Sequence, residues 1–201
     1  MTALIAVLVA VIAGDRALAA GPTVGEPAPM FSASDTDGRA VSLADLKGHT
    51  VVLEWTNHEC PFVGRHYGSG QMQALQAAAT ADGVTWITII SSAPGEQGYV
   101  ESTQANELTA KRGAKPSHVV LDPDGVIGRA YGAKTTPHMF VIDATGILVY
   151  DGAIDDQPRN AGADPATARN YVKEALAAVK EGKAPAVAVT QPYGCSIKYK
   201  S

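Results

Sequence analysis

A chain of 201 residues with 46% hydrophobic content has enough apolar material for one buried core and requires no second domain. Its formal net charge is −4. With no basic stripe to neutralise phosphates, the chain is not built for nucleic acid.

Residues Ala3 to Ala13 form an uninterrupted apolar run, shorter than the roughly 20 residues a membrane span needs. Ala17-Leu18-Ala19 has the small-x-small form of a cleavage site, so residues 1–20 read as a secretory signal peptide. Met1-Thr2 carries no basic residue, which leaves open an uncleaved amino-terminal anchor. Only in that case would the chain be tied to a membrane. Export implies a periplasmic or secreted protein, in a compartment where a disulfide persists.

Residues 21–182 read as one domain. Gly21 to Pro29 is an extended lead-in, and Phe31 to Leu46 is a hairpin turning at Asp35-Thr36-Asp37-Gly38. Ser42 to Gly48 is a single helical turn closed by glycine, and Val51 to Trp55 is a buried strand. Pro61 to about Ala81 has helical spacing, with Pro61 at the first helical position. A strand over Val84–Ile90 follows, then a helix over Gly98–Gly113 and a short strand over His118–Leu121. The turn Asp122-Pro123-Asp124-Gly125 leads into one or two helical turns over Val126–Tyr131. Two strands, His138–Ile142 and Gly146–Asp151, precede an amphipathic helix from Asp164-Pro165 to Lys180. The pattern predicts an α/β fold, a sheet with helices on both faces. Residues 183–201 form a tail with Pro185, Pro192 and then Gly194-Cys195-Ser196.

Cys60 lies where a strand becomes a helix, in Trp55-Thr56-Asn57-His58-Glu59-Cys60-Pro61-Phe62-Val63. Unpaired N–H groups and the positive end of the helix dipole favour thiolate there. The competing role is a small buried apolar residue at a helix start. The second anchor is Thr135-Thr136-Pro137-His138, a proline just before an apolar strand. Cys-Pro at a strand-to-helix junction followed by Thr-Pro at a strand start resembles the thioredoxin-like superfamily. The chain looks like its redoxin branch, which includes alkyl hydroperoxide reductase/thiol-specific antioxidant proteins and thiol-disulfide oxidoreductases. The resemblance covers roughly Val24 to Lys180 and, more narrowly, the Cys195 tail. It implies a thioredoxin-like fold with a mixed sheet and an amino-terminal hairpin, and a cis Pro137 lying against the reactive Cys60. It implies thiol-disulfide exchange or antioxidant peroxide reduction, with a protein disulfide or peroxide as substrate, an electron-donating thiol reductant as partner, and no cofactor.

The chain departs from both patterns it resembles. Val63 stands where redox-active thioredoxins carry a second cysteine, and Asn57 and Leu53 stand where peroxiredoxins carry Thr or Ser and Pro; Thr56 is one position off. Cys195 supplies a second thiol, on a tail whose extended reach of about 3.3–3.6 Å per residue suffices to return to Cys60. Cys195 is then either a resolving thiol or half of a permanent staple, which for so long a loop contributes on the order of 4 to 5 kcal/mol. Pro137 and Thr136 shape the substrate face. Arg129 is a candidate peroxide-polarising cation or a solvated surface group.

His58, His66 and His138 surround the motif. With Cys60 they compose a donor set for Cu(I) or Zn, as in a copper-binding redoxin-like chaperone. The plainer expectation is no metal, with His58 or His138 orienting the thiolate and His66 on a helix surface. Glu59 opposes strong activation of its neighbour by charge. Trp55 and Phe62 are expected to pack around the site, and Asp155 and Asp156 to form a solvated turn. A redox-silent binding domain with a stapled tail remains the alternative outside catalysis.

Overall fold

A computed structural model describes residues 21–158 and 167–201. The signal-peptide reading and the Asp164-Pro165 helix start lie outside the described residues.

The centre is a five-stranded mixed sheet ordered β5-β4-β3-β7-β8, with β3 Val51–Trp55, β4 Thr85–Ile90, β5 His118–Leu121, β7 His138–Ile142 and β8 Leu148–Gly152. β3, β4 and β5 run parallel, whereas β7 and β8 join antiparallel. The hairpin of β1 Ser32–Ser34 and β2 Ala40–Ser42 turns where expected, and a 3₁₀ turn over Leu43–Leu46 follows. Gly48 ends that segment at φ +93°, a conformation that only glycine adopts without strain.

The expected helix from Pro61 to Ala81 is two helices, α1 Pro61–Gly68 and α2 Gln71–Ala81, broken at Gly70 with φ +78°. α3 Ser102–Lys111 is shorter than the Gly98–Gly113 expectation, and α4 spans Val126–Ala130. α5 runs Tyr171–Lys180 and starts at Asn170, whose side chain accepts the Lys173 N–H. That cap satisfies one of the free N–H groups of the first turn.

Alternation along β3 divides the core. Val51, Leu53 and Trp55 face a cluster with Tyr131, Phe140, Leu43 and Ile127, contributed by the 3₁₀ turn, α4 and the neighbouring strands. Val52 faces the other cluster, where Val63 and Tyr67 of α1, Met72 of α2, and Val172 and Ala175 of α5 pack with Cys60. Burying each large side chain contributes roughly 1.5–3 kcal/mol. Trp55 therefore packs on Tyr131 and Phe140, with centroids 5.5 and 5.2 Å away, and not around the thiol as expected.

The tail is part of this architecture. Ala188 and Thr190 pair with Asp151 along the open edge of β8. Farther on, β9 Cys195–Ser196 pairs antiparallel with β6 Thr135–Thr136. The tail thereby covers backbone groups that an edge strand leaves free. Among the described residues no helix is long and apolar enough to cross a membrane.

Candidate active site

The loop that presents the thiol is pinned at both ends. Asn57 Oδ1 accepts the Glu59 N–H at 2.8 Å and Asn57 O accepts the Cys60 N–H at 3.1 Å, the turn chemistry that Asn favours. Glu59 turns away to accept the Gly98 N–H at 2.7 Å. Its carboxylate is thus engaged with the opposite loop. Cys60 is the N-cap of α1 with Pro61 at the first helical position, as the sequence indicates.

Cys60 Sγ is buried, 3.1 Å from the Thr136 carbonyl and 2.7 Å from Cys195 Sγ; both cysteines are free thiols. Burial alone pushes the Cys60 thiol up. Hydrogen bonds from Cys195, the Val63 N–H and Thr136 outweigh it, and the net shift is downward. Cys195 is pushed up to about 11, by burial and by its bond and charge interaction with Cys60. The pair is therefore polarised, with Cys60 the better thiolate and Cys195 the proton holder.

Backbone geometry sets that contact. The Thr136–Pro137 peptide is cis, as the family resemblance implies. Thr136 pairs with Cys195 and Thr135 with Ser196, while Ile197 N–H bonds to Lys134 O at 3.1 Å and Ala93 N–H to Lys198 O at 2.8 Å. Farther along, the Tyr199 hydroxyl donates to Ala133 O. Arg129 lies over the Tyr199 ring and donates to the Lys200 carbonyl, so its guanidinium holds the end of the tail. All four expected site residues, Cys60, Thr136, Pro137 and Cys195, meet at one point.

Beside it lies a buried polar cluster that sequence reasoning misassigned. His66 is not on a helix surface; it is 1% exposed. Asp155 is not in a solvated turn; it is 4% exposed. Both meet Tyr193, two residues before Cys195. The Tyr193 hydroxyl donates to Asp155, accepts from Arg65 Nη2 at 2.9 Å and lies 3.3 Å from His66 Nε2, while its ring packs on Phe62 with centroids 5.9 Å apart. Arg65 also reaches Asp155 Oδ2 at 3.4 Å. Burial drives the His66 pKa down to about 4, against the pull of Asp155 and with the help of Arg65. The available signals were a charged pair, Arg65-His66, inside an otherwise packing helix and a lone aromatic close to the tail cysteine.

The other histidines do not orient the thiolate. His138 Nδ1 accepts the Lys134 N–H and Nε2 bonds Asp151 at 2.8 Å, which engages both ring nitrogens. His58 lines a small cavity of about 20 Å³ with Thr56, Tyr67 and Arg112. Burial, the leading cause, lowers its pKa. Among the described residues, no group of three or more His, Cys, Asp or Glu is placed to hold a metal. One further residue went unread. Glu54, a charge inside the apolar run of β3, is fully buried, and its carboxylate accepts from Tyr67 Oη, Gln76 Nε2, Trp86 Nε1 and Thr88 Oγ1 at 2.9–3.3 Å.

Residues 23–171 match the model of the Redoxin family. Methylamine utilization protein MauD of Paracoccus denitrificans is 29% identical over 58% of this chain; the match covers 62% of MauD, under two thirds of its length. Thiol-disulfide oxidoreductase ResA of Bacillus subtilis is 26% identical over 70% of each chain. Two solved structures place the fold. A hypothetical protein from Sinorhizobium meliloti aligns with a TM-score of 0.79 at 23% identity, over 90% of this chain and 97% of its own. A putative thiol:disulfide interchange protein DsbE from Chlorobium tepidum aligns with a TM-score of 0.56 at 26% identity, over 80% and 96%. With its family model matched over most of its length and a thioredoxin-like fold around the Cys-Pro turn, this chain belongs to the Redoxin family.

Proposed function

We propose that this redoxin is an exported thiol-disulfide oxidoreductase whose working pair is Cys60 and Cys195. The observation that carries the reading is the 2.7 Å contact between the two sulfurs, which are 135 residues apart in the chain. In the reduced state the Cys60 thiolate attacks a substrate disulfide, forming a mixed disulfide and releasing one substrate thiolate. Cys195, after losing its proton, attacks Cys60 Sγ, closes the Cys60–Cys195 disulfide and releases the second substrate thiolate. An external thiol reductant then returns two electrons. The low thiolate affinity for protons that favours Cys60 as attacker also makes it the better leaving group in that last step. Thr136 and Pro137 shape the substrate face: an extended substrate backbone pairs with Thr136 as β9 does. Export is supported by the apolar run and small-x-small site of residues 1–20, and it suits a pair that must cycle outside a reducing cytoplasm.

Peroxide reduction is the weaker reading, because Arg129, its candidate cation, is taken up by Tyr199 and Lys200. The test is alkylation and intact mass of the purified mature protein across a glutathione redox series. A Cys60–Cys195 bond that opens well above about −300 mV supports cycling. A bond that stays closed throughout makes the tail a staple and sinks the reading.

A further inference from the structure

We propose that Phe62, Arg65, His66 and Asp155 form a recognition pocket for an aromatic phenol, selecting protein substrates that carry tyrosine two residues before the reacting cysteine. The tail's own Tyr193-Gly194-Cys195 is the resident occupant. This rests on the thiol-disulfide reading above and adds the substrate class to it.

The argument is one of spacing and chemistry. Cys60 caps α1, and Phe62, Arg65 and His66 lie on that same helix. The helix rises 1.5 Å per residue, so the five-residue step from Cys60 to Arg65 spans roughly 7.5 Å. A strand rises about 3.3 Å per residue, so the residue two before a cysteine seated on Cys60 lies roughly 7 Å away. α1 is thus a rigid ruler whose far mark is a phenol site. That site offers the hydroxyl a donor in Arg65 and an acceptor in Asp155, and offers the ring a face on Phe62. Among the described residues, Arg65 Nε and Nη1 are buried without hydrogen-bond partners, so the resident tyrosine engages only part of the guanidinium. Such a site discriminates because an analogue lacking the hydroxyl leaves buried polar groups unpaired. In the catalytic sequence the substrate tyrosine takes the pocket when the mixed disulfide forms, and the returning tail, bringing Cys195 with it, takes it back as the substrate thiolate leaves.

The experiment uses the full chain carrying Tyr193→Ala and Cys195→Ser, which empties the pocket and stops resolution. The probe is the peptide Gln-Pro-Tyr-Gly-Cys-Ser-Ile with its cysteine capped as a mixed disulfide with 5-thio-2-nitrobenzoate. Attack by Cys60 transfers the peptide to the protein and releases the coloured thiolate. The expected result is capture at least tenfold faster than for the peptide with alanine in place of tyrosine, with the phenylalanine peptide in between, and a smaller ratio in an added Asp155→Asn variant. The Cys195→Ser single variant carries the same panel if the double variant does not fold, giving the same ratio at lower rates because its tail competes. Equal rates for all peptides, with normal reaction toward a small aromatic disulfide, overturn the pocket and leave the thiol chemistry standing. No reaction with any disulfide overturns the underlying oxidoreductase reading.

Discussion

Gly194 passes so close to Thr136 that a Cβ at position 194 would lie 2.0 Å from the Thr136 carbonyl oxygen. Its φ of +139° is likewise one that side chains avoid. The glycine is what lets the tail lie on the loop before Pro137 and bring Cys195 to Cys60. Gly194→Ala forces β9 off its partner, at a cost on the order of 1–3 kcal/mol. The equilibrium constant for closing the Cys60–Cys195 disulfide should therefore fall about 5- to 150-fold in a glutathione titration, with near-wild-type far-UV circular dichroism. An unchanged constant would mean that the seating of β9 does not govern the pairing.

The strands were legible because their apolar runs are short and bounded by turn residues, so Val51–Trp55 and His138–Ile142 are visible in one dimension. The corner where Cys60 meets Thr136 was legible for the same reason: Cys60-Pro61 and Thr136-Pro137 are local signals. What failed was everything that depends on what the tail covers. Asp155 reads as a solvated turn until Tyr193 lies over it, and His66 reads as exposed until Asp155 and the tail enclose it. The break between α1 and α2 was legible in Gly68-Ser69-Gly70, a turn signal that the helical reading of Pro61 to Ala81 ran across; Gly70 makes the turn at φ +78°.

Cys60 and Cys195 share a hydrogen bond, and once Cys60 is ionised the Cys195 S–H is its donor, which favours the thiolate. Removing that donor with Cys195→Ala should raise the Cys60 pKa and slow its alkylation at neutral pH. The pH dependence of iodoacetamide labelling, followed by intact mass in Cys195→Ala and Cys195→Ser, is the check. Serine keeps a hydroxyl donor and should retain part of the shift. A Cys60 profile unchanged from wild type in both variants would assign the activation to the Val63 N–H, Thr136 and the helix terminus.

His66 makes the buried cluster around Tyr193 sensitive to acid. Its folded pKa of about 4 lies below the ordinary 6.5, so the unfolded chain binds the extra proton first. The sign follows: this contribution to stability is fully present above pH 6.5 and is lost as pH falls toward 4. The difference is on the order of 3 kcal/mol. Thermal melts between pH 7 and 4 should show a steeper acid loss for wild type than for His66→Gln, whose amide does not titrate. Parallel slopes would place the acid sensitivity elsewhere.

Glu54 acts in the opposite direction. Burial, its largest influence, raises its pKa above the ordinary glutamate value, although the donors of Trp86, Tyr67 and Gln76 favour the carboxylate. A raised folded pKa means that the folded chain holds the proton more tightly than the unfolded one. Stability from this group is then greatest at low pH and declines as pH rises through the folded pKa. Glu54→Gln removes the titration while preserving shape, and its amide can donate to the Tyr67 hydroxyl and keep its carbonyl toward Trp86 and Gln76. Denaturant melts should show wild type losing stability on the alkaline side of the glutamate range where the variant stays level. The variant should gain relative to wild type as pH rises. A loss of several kcal/mol at every pH would instead mean that the buried network requires the carboxylate for its hydrogen bonds, with its protonation having no influence on stability.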